Sequence, residues 1–146
     1  MDRKDFIRTC GLTCLGGAAF AALLQSCSGM KALSANIVGP DLIVPLSHFD
    51  NSKDNQEKIK KYIIVQNDQL QYPLCVYRFS ENEYSALWMR CTHQGTELQV
   101  FGDRLQCPAH GSEFSNKGQV QNGPADQPLR AFPVTKENNQ LKISLK

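Results

Sequence analysis

Two short segments of the chain carry residue types that bind metals. Cys91 and His93 lie in the first segment, and Cys107 and His110 lie in the second. Two of the chain's 3 histidines therefore lie in these two short segments. Two thiolates and two imidazoles are enough ligands for a complete metal site, and their clustering predicts a metal centre.

Small and rigid residues accompany the four candidate ligands. Gly95 and Gly111 follow the histidines closely and allow tight turns with positive φ, while Pro108 stiffens the second segment. Further along, Asn122–Ala125 contains a Gly-Pro pair, which by itself marks an ordinary turn. We therefore expect both ligand-bearing segments to be loops.

The mixed Cys/His pairing at these spacings resembles the Rieske 2Fe–2S centre, in which histidines replace two cysteines on one iron. The resemblance implies that Cys91 and Cys107 bind the inner iron as thiolates and that His93 and His110 bind the outer iron. It also implies that Ser112 donates a hydrogen bond to a cluster sulfur, and that the Gly-Pro loop covers the cluster. Neutral ligands make reduction easier, so the potential would lie within roughly −150 to +300 mV.

Three positions depart from the high-potential members of this family. Thr96 and Ala109 stand where many quinol-oxidising members have two cysteines that form a disulfide between the loops. We therefore expect that disulfide to be absent. Phe114 stands where those members have a tyrosine that donates to sulfur, although Ser112 is retained. One hydroxyl donor fewer predicts a potential below that of a quinol-oxidising subunit.

Zinc is the alternative metal for the same four side chains. Structural zinc sites usually use Cys-x2–4-Cys or His-x3–5-His pairs, whereas each segment here pairs one cysteine with one histidine. The spacing favours the iron–sulfur centre. A domain without redox function, holding zinc or nothing, is the competing hypothesis.

The N-terminal segment, residues 1–26, has the pattern of a bacterial export signal. A basic stretch precedes the apolar segment Gly11–Leu24, in which Thr13 is the only polar residue. That segment is shorter than the about 20 apolar residues that a membrane span needs. Leu24–Cys27 resembles a lipobox, so we predict that Cys27 is the first mature residue and carries lipid. An uncleaved signal anchor and ordinary cleavage are the alternatives.

The export route is suggested by Arg3–Ile7, which resembles a twin-arginine motif with Lys4 in place of the second arginine. Twin-arginine export fits a protein whose cluster is inserted in the cytoplasm before the folded chain is exported. Sec export is the alternative. Either route predicts a lipoprotein of the bacterial cell envelope, anchored to the membrane and facing the periplasm.

The remaining composition is consistent with one small soluble domain. Of 6 cysteines, Cys75 alone is left without a predicted role, and we expect it to be a core residue. The small net charge, +2 for the whole sequence, indicates nothing about partners, and because no stripe of basic and aromatic residues is present we expect no nucleic-acid partner. Residues 27–36 are predicted to be a lipid-anchored linker, and residues 37–146 the Rieske-like domain.

Short apolar or β-branched runs separated by polar stretches predict strands throughout that domain. They are Leu42–Leu46, Lys61–Gln66, Leu74–Phe79, Tyr84–Arg90, Thr96–Phe101, Arg104–Gln106, Ala131–Thr135 and Leu141–Leu145. The predicted fold class is all-β: an antiparallel β-sandwich or barrel with a small cluster-binding subdomain.

The function must be argued from the candidate site. The sequence predicts a one-electron carrier at the outer face of the bacterial cytoplasmic membrane, exchanging electrons with redox proteins or a quinol-linked complex. An obligate Rieske subunit of a bc-type or molybdenum-containing oxidoreductase is the alternative. Because the chain shows no nucleophile–base pair, we expect an electron-transfer protein or redox subunit rather than a free-standing enzyme.

Overall fold

Short strands in three sheets make up the part of the chain that this computed structural model describes, residues 31–50 and 59–146. In chain order, strands β1 to β13 span Leu33–Ser34, Asn36–Val38, Asp41–Pro45, Tyr62–Gln66, Leu74–Arg78, Tyr84–Trp88, Gln99–Phe101, Arg104–Gln106, Glu113–Ser115, Val120–Asn122, Ala131–Phe132, Val134–Glu137 and Gln140–Ser144. A 3₁₀ helix, Leu46–Phe49, follows β3.

The three sheets are named here by their positions. The central sheet has the strand order β1-β4-β5-β6-β11, and the outer sheet has the order β12-β13-β3-β2. The third, called the loop-bearing sheet, has the order β10-β9-β8-β7. Neighbouring strands run antiparallel apart from β1, which pairs with β4 in parallel.

The central sheet is covered on both faces, and β5 shows this most clearly. Leu74 and Val76 pack into a core shared with the outer sheet, while Cys75 and Tyr77 pack into a second core shared with the loop-bearing sheet. Successive side chains of a strand point to opposite faces, so a strand buried on both sides is continuously apolar. The run Leu74–Tyr77 is therefore buried throughout.

The outer sheet has one buried face and one solvated face. On β13, Leu141 and Ile143 are fully buried, whereas Gln140, Lys142 and Ser144 are only partly buried. This alternation is the pattern expected of a half-buried strand. Each fully buried leucine or isoleucine contributes about 1.5–3 kcal/mol relative to an exposed position.

The loop-bearing sheet consists of three-residue strands joined by turns and loops. The turn between β7 and β8 lies at Gly102, whose φ of +62° favours glycine. The inward side chains Val100, Leu105 and Phe114 are buried against the central sheet. This packing fixes the sheet, and with it the connections that carry the candidate ligands.

The predicted all-β class is confirmed. Of the 8 predicted strands, 4 are shortened at one end, 2 are shifted by one residue, 1 is unchanged, and Ala131–Thr135 is divided between β11 and β12. The short strands β1, β2, β9 and β10 were not predicted. Residues 33–36, predicted to lie in a linker, contain β1 on the central sheet, the buried Ala35 and the first residue of β2.

Several predictions fall on residues outside the described ranges, which omit residues 1–30 and 51–58. They are the export signal at 1–26, the twin-arginine motif, the lipobox with Cys27, and the start of the linker. Within residues 31–50 and 59–146, no helix is both long enough and apolar enough to cross a membrane.

Candidate metal centre

Two loops carry the four candidate ligands. Loop 1, residues 91–96, lies between β6 and β7, and its two ends are joined by an antiparallel bridge between Arg90 and Glu97. Loop 2, residues 107–112, connects β8 directly to β9. Because both loops begin and end on buried, hydrogen-bonded strands, the positions of their first residues are set by the core.

The two loops share one backbone frame. The first residue of each, Cys91 or Cys107, donates its N–H to the carbonyl of the sixth residue, Thr96 or Ser112, over 2.8 Å. The N–H of the fifth residue donates back to the carbonyl of the cysteine, over 2.8 Å in loop 1 and 2.9 Å in loop 2. Each loop is therefore closed by two hydrogen bonds of the same kind.

The fifth residue of each loop is a glycine because the frame requires it. Gly95 has a φ of +77° and Gly111 a φ of +78°. Residues with a Cβ avoid this left-handed region, since the Cβ approaches the following carbonyl oxygen. The histidine occupies the third position of loop 1, as His93, and the fourth position of loop 2, as His110.

The structure brings the four predicted ligands together and sorts them by type. The thiols of Cys91 and Cys107 are in hydrogen-bonding contact, and both residues are 1% exposed. The rings of His93 and His110 are exposed, with centroids 4.9 Å apart and planes at 88°. The sulfur pair thus lies inside and the imidazole pair at the surface.

Backbone donors around the sulfur pair favour a thiolate at Cys107. Burial raises the pKa of this thiol, but N–H groups of His110 and Ala109, together with the Cys91 and Thr96 side chains, outweigh burial and lower the pKa below its ordinary value. Burial, with Cys107 as neighbour, raises the pKa of Cys91 despite donors from loop 1. Such donors also stabilise negative charge on an inorganic centre.

A third segment ties the two ligand loops together. This segment, called loop 3, comprises residues 123–128 and contains the predicted Gly-Pro turn. The buried Ser112 hydroxyl accepts the Ala125 N–H over 3.0 Å, and the Thr92 hydroxyl donates to the Gln127 carbonyl over 2.7 Å. Each ligand loop thus has one hydrogen bond to loop 3.

Ser112 therefore has a structural partner that its sequence position did not reveal. Its oxygen accepts a hydrogen bond from loop 3, which occupies an acceptor site and leaves the hydroxyl hydrogen for another group. Thr96, at the equivalent position of loop 1, directs its hydroxyl to the sulfur of Cys107. Thr96 was not predicted as a donor, but aligning the two loops on their cysteines and glycines places it at the position of the predicted Ser112.

Two aromatic residues outside the loops were not predicted to contribute to the site. The Tyr72 hydroxyl donates to the Gly95 carbonyl over 2.6 Å, and the Tyr72 ring packs edge-on against Trp88 with centroids 5.4 Å apart. Trp88 packs on the core shared with the outer sheet, and its ring centre lies 5.7 Å from the Arg90 guanidinium. A tyrosine in a polar connection gives no periodic signal, so the sequence could not identify it.

The remaining described cysteine is separate from the site. Cys75 is fully buried on β5, as expected of a core residue, and burial raises its pKa to about 12 against a weaker opposing contact with Tyr77. The Tyr77 hydroxyl has no nitrogen or oxygen partner, so the sulfur is its polar contact. All three described cysteines are free thiols.

The sorted ligand set fits a binuclear centre. Two sulfurs held by one pair of loop positions, and two nitrogens held by another, give each of two metal ions its own pair of ligands. Within residues 31–50 and 59–146, no three His, Cys, Asp or Glu side chains converge on a single ion position. The fold and this pairing define a class: β-sheet domains that present two Cys/His loops to one shared inorganic core.

Comparison with known proteins gives that class its family. The model of the Rieske 2Fe-2S domain matches residues 50–133, which is more than half of the chain. The chain therefore belongs to the Rieske 2Fe–2S domain family, and a Rieske-type 2Fe–2S cluster is its cofactor.

Curated relatives include iron–sulfur subunits of cytochrome b6-f complexes. The chloroplastic subunit of Bigelowiella natans is 31% identical over 103 residues, which cover 67% of this chain and 37% of that protein. Subunit 1 of Synechocystis is 39% identical over 56 residues, which cover 37% of this chain and 32% of that protein. The chain thus spans only about a third of the length of these relatives.

Solved structures share the fold. The plasma-membrane Rieske protein of Synechocystis superposes with a TM-score of 0.50 at 24% identity, covering 57% of this chain and 86% of that one. The ferredoxin of carbazole 1,9a-dioxygenase from Nocardioides aromaticivorans superposes with a TM-score of 0.53 at 19% identity, covering 74% of this chain and all of that one. At these identities the likeness is one of fold alone.

Proposed function

We propose that Cys91 and Cys107 bind one iron of the cluster through their thiolates and that His93 and His110 bind the other through imidazole nitrogens. The single observation that carries this assignment is the sorting of the side chains, with the sulfurs paired inside and the rings paired outside. Ser112, buried between loop 2 and loop 3, is the proposed hydroxyl donor to a cluster sulfur.

The proposed function is one-electron transfer. When bound, the cluster supplies a one-electron redox couple at a potential of roughly −150 to +300 mV. The chain's own contribution is to exclude water from the thiolate side, where Cys91 and Cys107 are 1% exposed, and to leave His93 and His110 accessible. A partner protein can therefore approach the imidazole edges without rearrangement of the loops.

The proposed location is the outer face of the bacterial cytoplasmic membrane. The lipobox-like Leu24–Cys27 supports a lipid anchor at Cys27, and the preceding basic and apolar stretches support export. A mature lipoprotein carries several acyl chains and is held stably, whereas one chain binds only weakly. Mass spectrometry of the membrane-extracted protein tests this directly, since an unmodified or uncleaved N-terminus contradicts the proposed anchor.

A subunit role in a larger oxidoreductase is the second candidate. It is favoured by the relatives named as cytochrome b6-f subunits, and a bc-type or molybdenum-containing complex is the corresponding proposal for this chain. A subunit would copurify with its partners from detergent-extracted membranes. A free carrier would migrate as a monomer and exchange electrons with soluble or membrane-bound redox proteins.

The decisive experiment is spectroscopy and redox titration of the purified protein. We expect an absorbance and reduced-state EPR spectrum typical of Rieske centres, with a potential above that of plant-type ferredoxins. Because Phe114 replaces a hydroxyl donor, the potential should lie below that of quinol-oxidising subunits that have the tyrosine. A colourless protein that contains zinc and stays EPR-silent after reduction would refute the proposed function.

A further inference from the structure

The carbonyl of the glycine at position five receives a side-chain hydrogen bond in both ligand loops. In loop 1, Tyr72 donates to the Gly95 carbonyl over 2.6 Å in a partly buried contact. In loop 2, Asn122 donates to the Gly111 carbonyl over 3.4 Å in an exposed contact. The short, partly buried contact is the stronger of the two, because hydrogen bonds weaken with distance and with competition from water.

Tyr72, the residue that donates to loop 1, is itself held by packing contacts. Tyr72 packs edge-on against Trp88, with the ring planes at 90°. Trp88 in turn contacts two guanidinium groups, since those of Arg90 and Arg130 lie 5.7 and 5.8 Å from its ring centre. Aromatic and cation–π contacts of this kind restrict both rings, so the Tyr72 hydroxyl reaches loop 1 from a fixed position.

The peptide group between Gly95 and Thr96 is the part of loop 1 whose orientation matters for the site. Tyr72 engages its carbonyl, while the N–H of Gly95, which belongs to the preceding peptide group, donates to the Cys91 carbonyl. The same carbonyl belongs to the peptide that leads into Thr96, whose hydroxyl is directed to the Cys107 sulfur. Rotation of this peptide would move Thr96 on one side and the segment containing His93 on the other.

We propose that Tyr72 is a positioning residue for the metal centre, which fixes loop 1 by holding the Gly95 carbonyl from the connection between β4 and β5. The inference rests on the proposed function of the site, because it concerns how His93 and Thr96 are presented to the cluster. The Tyr72 hydroxyl bonds a backbone carbonyl and not a candidate ligand, so it acts through the peptide that it holds.

The substitution that tests this is Tyr72→Phe, because it removes the hydroxyl and keeps the ring against Trp88. With the Gly95 carbonyl unclamped, we expect the cluster to be lost to a chelator roughly fivefold faster. At about 1.4 kcal/mol per tenfold this is about 1 kcal/mol, the net value of one hydrogen bond. The EPR lines should broaden because loop 1 samples more conformations. The potential should fall because the Thr96 donor to Cys107 weakens.

Tyr84→Phe is the matched control. Tyr84 also donates its hydroxyl to a backbone carbonyl, that of Glu81 over 3.1 Å, but this carbonyl belongs to the turn between β5 and β6. The control therefore removes the same kind of bond outside the ligand loops. Both variants are prepared in the full-length protein with its cluster, and chelator resistance, EPR linewidth, potential and urea unfolding are compared with wild type.

The outcomes separate this inference from the function on which it rests. Faster cluster loss, broader lines and a lower potential in Tyr72→Phe, with none of these in Tyr84→Phe, support the positioning role. An unchanged EPR spectrum and potential in Tyr72→Phe would overturn it, even where urea unfolding shows a loss of stability, since that is a general structural role. A wild-type protein without a Rieske signal would overturn the proposed function and this inference together.

Discussion

Loop 1 and loop 2 have the same backbone frame but different surroundings. Both are closed by two hydrogen bonds between equivalent positions, and both turn at a glycine with φ near +78°. The Gly95 carbonyl of loop 1 accepts a short, partly buried hydrogen bond from Tyr72, whereas the Gly111 carbonyl of loop 2 has a longer, exposed contact with Asn122. Loop 2 has its buried hydrogen bond at Ser112, which accepts from the Ala125 N–H.

The difference shows that a ligand loop has two separate requirements: the backbone frame that closes it, and the support given by contacts with the rest of the fold. The frame is local: a cysteine, a glycine four residues later and a hydroxyl residue after it are enough to define it. The support comes from the rest of the fold, through side chains distant in sequence such as Tyr72 and loop 3. Local sequence can therefore indicate the ligands, while tertiary packing decides how rigidly they are presented.

The largest expected effect is loss of the cluster when the cysteine of either ligand loop is replaced. Cys91→Ala and Cys107→Ala should each abolish the visible absorbance and the EPR signal, since one iron then has only one protein ligand. Cys75→Ala is the control, because Cys75 is a buried thiol on β5 outside both loops. Retention of the signal in either loop variant, or its loss in Cys75→Ala, would contradict the assignment of ligands.

The two glycines provide the sharpest test of frame against support. Gly95→Ala and Gly111→Ala both place a Cβ at positive φ, which costs roughly 1–2 kcal/mol. In Gly95→Ala the new Cβ would also lie 3.4 Å from the Arg90 guanidinium and 3.6 Å from the Tyr72 hydroxyl. Because these are ordinary van der Waals distances, we expect the free energy of unfolding in urea to fall by a similar amount, about 1–2 kcal/mol, in both variants.

Equal losses would show that the shared backbone frame, and not the surroundings of loop 1, determines the cost. A clearly larger loss in Gly95→Ala would show that Arg90 and Tyr72 add to it. Cluster retention is the second measurement, since Gly95 lies between His93 and Thr96.

The sequence predicted those features of the site that depend on local pattern. The loops that bring the four candidate ligands together and their glycines follow from residue type and spacing, and the strands follow from short apolar runs, while the role of the four as ligands stays a prediction. The confirmed all-β class has the same origin. Burial on both faces of β5 was not predicted, because a continuous apolar run such as Leu74–Tyr77 is also consistent with other buried segments.

What the sequence missed depends on contacts between distant segments. Tyr72 is 23 residues from its partner Gly95, and Thr92 is 35 residues from Gln127. The strand β1 has two residues, too few for any periodicity, and was therefore placed in the linker. These elements are stabilised by tertiary pairing, which overrides weak local preference.

The hydrogen bonds that join loop 3 to the two ligand loops should contribute differently to the free energy of unfolding. Ser112→Ala leaves the buried N–H of Ala125 without its acceptor, and we expect a loss of about 1–3 kcal/mol in urea unfolding. Thr92→Val removes an exposed contact with Gln127 and should cost less, about 0.5–1 kcal/mol. Redox titration adds a second criterion, since only Ser112→Ala should lower the potential. A lower potential in Thr92→Val would assign that role to loop 3 in general.

The last expected effect, which is absent near neutral pH, concerns a buried cysteine that lies outside the ligand loops. Donors from the loop lower the pKa of Cys107, whereas burial raises the pKa of Cys75 to about 12. The folded state therefore favours the neutral Cys75 thiol, while the unfolded thiol ionises near its ordinary pKa of 9.0. Its contribution to stability is complete below about pH 9 and is lost as the pH rises towards 12, by at most about 1.4 kcal/mol per pH unit.

Cys75→Val, which nearly conserves volume in a buried strand, isolates this contribution. The stability difference between wild type and variant in urea should be constant from pH 7 to pH 8 and should decline between pH 9 and pH 11, because the variant has no thiol to ionise. Tyr77, whose pKa is also raised by burial, is present in both proteins and affects both curves in the same direction. A difference that does not change with pH would mean that the Cys75 thiol ionises as readily in the folded as in the unfolded chain. The contrast with the loop cysteines would then come from their neighbours alone and not from burial.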